Sequence, residues 1–130
     1  MERRSFLALA ALLAILPGAA SAEEKKRAGG MSYVQINTIT GTTTRAGGRR
    51  GVLSVECGLD IQDPKLRDRV RLSLPRLRAV YVQAVQTYAA GLSPGAAPSV
   101  EFLGRELQRH TDIVLGQPGA RVLLGAVLVN

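Results

Sequence analysis

One stretch, Asp63 to Tyr88, constrains this chain more than any other. Asp63 and Pro64 open it as a helix start. A short acidic side chain caps free amides, and a proline in the first turn gives up a donor that would have no partner anyway. Leu66, Val70, Leu74, Leu77, Tyr81, Ala84, Val85 and Tyr88 then recur at three- and four-residue steps, which predicts one apolar face along a helix over 63–89. Pro75 interrupts the run. It lacks the amide that would bond to the carbonyl of Arg71, so a kink at Pro75 is expected.

An amphipathic helix of this length needs a sheet to cover. Residues 32–40 alternate, with Val34, Ile36 and Thr38 expected on one face and Tyr33, Gln35 and Asn37 on the other. Gly41 to Arg50, rich in Thr, Gly and Arg, reads as a long hairpin loop. In the strand over 50–61, Leu53, Val55, Cys57, Leu59 and Ile61 share a face, a pattern that suits a sheet packed on one side. Ser99 predicts the cap of a second helix over 99–115, with Val100, Leu103, Leu107, His110 and Val114 on its inner face. The last strand, 121–129, is apolar on both faces: Val122, Leu124, Ala126 and Leu128 against Leu123, Val127 and Val129. Such a strand is either central or covered on its outer side, and as an exposed edge it would be adhesive. The expected fold class is α+β, an antiparallel sheet under two helices.

The N-terminus reads as an export signal over 1–22. Arg3 and Arg4 precede an apolar run of 11 residues, Phe6 to Leu16; Pro17 and Gly18 break it, and Ala20-Ser21-Ala22 offers small residues for cleavage. Arg3-Arg4-Ser5-Phe6-Leu7 resembles a twin-arginine signal. Residues 23–30 form a charged linker, and 31–130 form the single domain that 130 residues allow. The expected location is periplasmic, with inner-membrane association if the signal is retained. The chain carries a net charge of +7, and 15 basic against 9 acidic residues remain without the signal. An exported basic domain with no tryptophan, and with aromatics at 4%, lacks the stacking platforms of a single-strand nucleic-acid binder. No nucleic-acid partner is expected.

No arrangement of residues reads as a catalytic, cofactor or metal site. The single cysteine, Cys57, sits on an apolar strand face, and His110 flanks an apolar helix face. A nucleophile–base pair needs the two within hydrogen-bond reach together with an orienting group. Asp60, Asp63 and Asp68 are close in sequence, but Asp63 serves as a cap. What remains is basic. Arg45, Arg49 and Arg50 surround Gly47 and Gly48 in the hairpin, and Lys65, Arg69 and Arg76 fall opposite the helix's apolar face, with Arg67, Arg71 and Arg78 flanking it. Arg45, Arg49, Arg50, Arg69 and Arg76 are the candidate contacts for an anionic partner, against the plainer reading of a solvated loop and helix back.

The order of these elements is similar to the periplasmic domain of the FliL family of flagellar basal-body-associated proteins. The resemblance rests on the strand over Val52 to Ile61, the step Gln62-Asp63-Pro64 into a helix, the string Leu74-Pro75-Arg76-Leu77-Arg78 within it, and the closing apolar strand. It implies a stomatin-like domain over 31–130 that is not an enzyme. It also implies a scaffold that oligomerises beside flagellar motor and stator proteins and supports motility. An alternative is an envelope-associated binding module that meets an anionic ligand or lipid surface through its basic hairpin and helix.

Overall fold

A computed structural model describes residues 31–130; the signal expected over 1–22 and the linker over 23–30 lie outside the described residues. The fold is α+β. Strands β1 (Tyr33–Thr44), β2 (Arg50–Ile61) and β3 (Ala120–Val129) form an antiparallel sheet in the order β1-β2-β3. Helices α1 (Pro64–Leu72), α2 (Leu74–Ala90) and α3 (Val100–Leu115) pack on one face of it. β2 is the central strand, and its Leu53, Val55, Cys57, Leu59 and Ile61 are all buried, as the alternation predicts.

The flanking strands depart from simple alternation at the same level. In β1, Ile36 pairs with Cys57 and Ile39 with Val55, so Asn37 and Thr38 together face Glu56. In β3, Leu124 pairs with Cys57 and Val127 with Val55, so Gly125 and Ala126 face the same glutamate. Each is a β-bulge, which reverses the inside–outside phase beyond it. The expected inward Thr38 is therefore exposed, and Ile39 takes the core position. Likewise Val122 and Leu124 face inward before the bulge and Val127 after it, while Leu123 and Leu128 face out, which corrects both faces assigned to this strand. Apolar burial decides the phase, because an unbulged β1 would turn Ile39 to water.

β3 is an edge strand, not a central one. The hairpin is also shorter than expected. β1 continues through Thr44, leaving a tight turn at Ala46–Gly48 in which Gly47 and Gly48 take φ of 82° and 81°.

The expected kinked helix over 63–89 is two helices. The break falls at Ser73, ahead of Pro75, and Ser73 N–H is shared between the carbonyls of Arg69 and Val70. Pro75 has no amide for the Arg71 carbonyl, so the first helix closes early and the proline sits harmlessly in the first turn of the second. Asp63 caps α1 by accepting from Lys65 N–H at 3.1 Å, and Ser99 caps α3 by accepting from Phe102 N–H at 3.1 Å, both as predicted. α2 buries Leu77, Tyr81, Val85 and Ala89 and lies chiefly on β1. α3 lies against β3 and α2, and its inner row is Leu103, Leu107, Thr111 and Leu115. Val100 is exposed and His110 and Val114 are only partly covered, so the inner face is turned from the expected one. Thr111 is buried without cost because its hydroxyl donates to Leu107 C=O at 2.6 Å and bonds to the Tyr81 hydroxyl.

Candidate functional site

The five candidate arginines do not form one patch. Gly41 backs onto Val85 and Ala89, so the hairpin tip with Arg45, Arg49 and Arg50 lies by the C-terminal end of α2. Arg76 is in the first turn of α2, about 20 Å away along the helix at 1.5 Å per residue. Arg69 is not a free cation. Its guanidinium donates to Leu115 C=O and to Gln117 Oε1, both at 2.6 Å, and so caps the end of α3. Arg67 likewise bonds to the carbonyls of Ile61 and Gln62. Arg71 pairs with Asp68 at 3.6 Å. Two of the six basic residues expected along this helix, Arg67 and Arg69, therefore tie strand and helix ends together, and Arg71 pairs within its own helix.

The hairpin arginines keep their availability. Among the described residues no carboxylate stands within ion-pair distance of Arg45, Arg49 or Arg50, and all three are exposed. A cleft of about 390 Å³ opens beside them, lined by Thr43, Arg45, Leu92, Gly95 and Asn130 among others. Thr43 is buried there, and its hydroxyl has no partner among the described residues.

Cys57 and His110 do not form a reactive pair. Cys57 faces the core, and burial pushes its thiol up to about 11, away from the thiolate needed for nucleophilic chemistry. His110 instead lies 3.8 Å from Glu106 and 3.5 Å from Arg109. The hydrogen bond from Arg109 holds the Glu106 carboxyl below its ordinary range. These residues border a groove of about 900 Å³ between α2 and α3, whose wall is Ala84, Leu92 and Leu103 with the stacked rings of Tyr88 and Phe102, 5.5 Å apart. No group of three or more candidate metal ligands occurs among the described residues, and no described helix is long and apolar enough to cross a membrane.

The most distinctive surface is the outer edge of β3. Its first half is closed by one side chain. The Gln108 amide donates to Ala120 C=O at 2.8 Å and accepts from Val122 N–H at 2.9 Å, standing where a neighbouring strand would. From Leu124 to Val129 no such cover exists among the described residues; the only side-chain bond is from Ala126 N–H inward to Glu56 Oε1 at 3.2 Å. Leu123, Leu128 and Val129 are 37%, 59% and 39% exposed. Sequence reasoning marked the strand as adhesive at an edge but missed the Gln108 clasp, because a glutamine on a helix gives no sign of which backbone it will meet. The bulges did leave a sign: two polar residues in succession at Asn37-Thr38, and a glycine at 125 inside an apolar run.

Compared with protein-family models and with curated proteins, the chain matches none.

Proposed function

We propose that this chain is a non-catalytic interaction domain of the bacterial envelope. In this reading it resembles the periplasmic domain of FliL, with a stomatin-like fold, and is exported by its N-terminal signal to serve as a scaffold beside a motility or other envelope complex. The observation that carries the reading is the apolar half of β3, Leu124 to Val129, whose edge nothing among the described residues covers. A sheet edge with unspent main-chain groups is a platform for strand addition. The burial of Cys57 supports a role without covalent chemistry.

The test is genetic and biochemical together. Deleting the gene should impair swimming, and a cross-linker applied to intact cells should join the protein to envelope components. Normal swimming removes the flagellar part; absence of any cross-linked species in the envelope removes the scaffold reading.

A second reading is favoured by the hairpin. Arg45, Arg49 and Arg50, without a carboxylate partner among the described residues and with Arg45 lining the Thr43 cleft, suit an anionic ligand or lipid surface. Binding to anionic vesicles should fall steeply with salt and vanish when all three become glutamine. Arg76→Gln serves as the control that leaves binding intact.

A further inference from the structure

The uncovered half of β3 has a geometry specific enough to name its occupant. Val52 and Asn130 exchange both main-chain bonds, at 3.3 and 3.0 Å. Strand alternation then turns the N–H and C=O of Val127 and Val129 away from β2, toward the outside of the sheet. Leu128, between them, is the most exposed large apolar side chain of the strand at 59%. From Val122 to Asn130 there is no ionisable side chain. The nearest charge on the strand, Arg121, lies on the half that Gln108 closes.

We propose that the occupant is a second copy of this chain, paired antiparallel through β3 with the twofold axis at Leu128, joining two sheets into one of six strands. The proposal rests on the interaction-domain reading above and names its partner. In this register Val127 bonds to Val129 of the second copy, and Val129 to its Val127. The two Leu128 side chains meet at a non-hydrogen-bonded position, where antiparallel strands approach most closely. Self-pairing suits a charge-free segment, because it sets no like charges opposite each other and sends the two Arg121 residues to opposite ends. A foreign strand would find no charged side chain here to select it. The arrangement is isologous and closes at two copies, so it consumes the adhesive edge instead of propagating it. In this register Ala126 and Asn130 are the last opposed residues, so the edge groups of Ala120 and Val122 that Gln108 occupies take no part in it. The pairing is short, and the dimer should dissociate on the order of micromolar concentrations.

The experiment uses the 130-residue chain in sedimentation across a concentration series, with amide exchange read at Val127 and Val129. A monomer–dimer equilibrium is expected, with protection of both amides rising as the dimer forms. Leu128→Cys should give a disulfide-linked dimer under mild oxidation, since Cys57 is buried and does not compete. Val129→Pro removes an outward amide that β2 does not use, and should weaken dimerisation tenfold or more. Leu128→Lys, which disturbs no buried group, should do the same if the proline variant fails to fold. A dimer undiminished by either variant, or one whose Leu128→Cys form stays unlinked, overturns the proposal. If the chain stays monomeric but the edge variants abolish cross-linking to an envelope component, the second copy is the wrong occupant and the interaction-domain reading stands. If it stays monomeric and those variants change nothing, both fall.

Discussion

The two edges of this sheet share a device and differ in everything else. β1 and β3 both bulge opposite Glu56, and both recover their inward phase beyond it. Beyond the bulge, however, β1 turns Thr40, Thr42 and Thr44 outward, while β3 turns out Leu128. On β1 the outward side chains are polar and leave no adhesive apolar row along the edge. On β3 a clasp from α3 covers the first half and nothing described covers the second. Natural sheets guard their edges by polarity, bulges or cover. An edge guarded over half its length is more informative than one guarded throughout, because it separates the part that must stay dry of partners from the part left available for one.

The bulges allow the sharpest test of that contrast. Deleting Asn37 together with Thr38 would make Ile36 and Ile39 neighbours on one strand and turn either Val34 and Ile36 or Ile39 and its followers to water. Exposing Val34 and Ile36 alone should cost about 5 kcal/mol, enough to abolish a cooperative melt in a marginal domain. Deleting Gly125 together with Ala126 is the same operation on β3, where Val127 is only partly buried. It should cost about 1–2 kcal/mol, and equal losses in a denaturant titration would erase the distinction between the edges. A Cβ at Gly125 would stand 2.9 Å from Glu56 Oε1, the free end of an exposed side chain that can move aside.

Alkaline unfolding probes the core between the edges. Cys57 pairs with Ile36 on one side and Leu124 on the other. Burial raises its thiol from 9.0 to about 11, and raises the Tyr81 hydroxyl from 10.0 to about 12. Both groups are neutral when protonated, and the fold holds the protonated form. Their contribution is complete below pH 9, and is lost as the pH rises from 9 toward 11 for Cys57 and from 10 toward 12 for Tyr81. Stability followed against pH should fall over that range, and Cys57→Ala should delay the onset. An unchanged onset would mean that water already reaches the thiol, as it would if the β3 side were loose.

The smallest expected effect concerns the clasp. Gln108→Leu strips partners from Ala120 C=O and Val122 N–H, and water at the edge replaces them in part, so the loss should be about 1 kcal/mol. The larger consequence is associative. The open edge would extend over all of β3, and light scattering should reveal species beyond any present in the parent chain. A variant that loses stability without gaining self-association would reduce Gln108 to an ordinary cap.

The helix starts were legible because capping is local: Asp63-Pro64 and Ser99 need only their own next three residues. The central strand was legible because every odd residue of Leu53 to Ile61 is apolar and the pairing adds no insertion on that strand. The break at Ser73 was misplaced by two residues. Proline acts through the carbonyl four residues earlier, and the chain chose to end one helix instead of bending it. The candidate arginine site was the least legible part. Arg69 looks the same in sequence as Arg76, and only the arrival of the α3 terminus commits it to Leu115 and Gln117.

Local chemistry thus determined the class of fold, the caps and the adhesive character of the last strand, because each depends on side chains within a turn or two of one another. Tertiary structure decided which strand stands at the edge, where the two bulges fall, which arginines are free, and that Gln108 guards half of β3. Those outcomes depend on contacts between residues far apart in sequence. They follow from burying the largest apolar surface while leaving few main-chain groups unpaired, a condition that only the whole chain can meet.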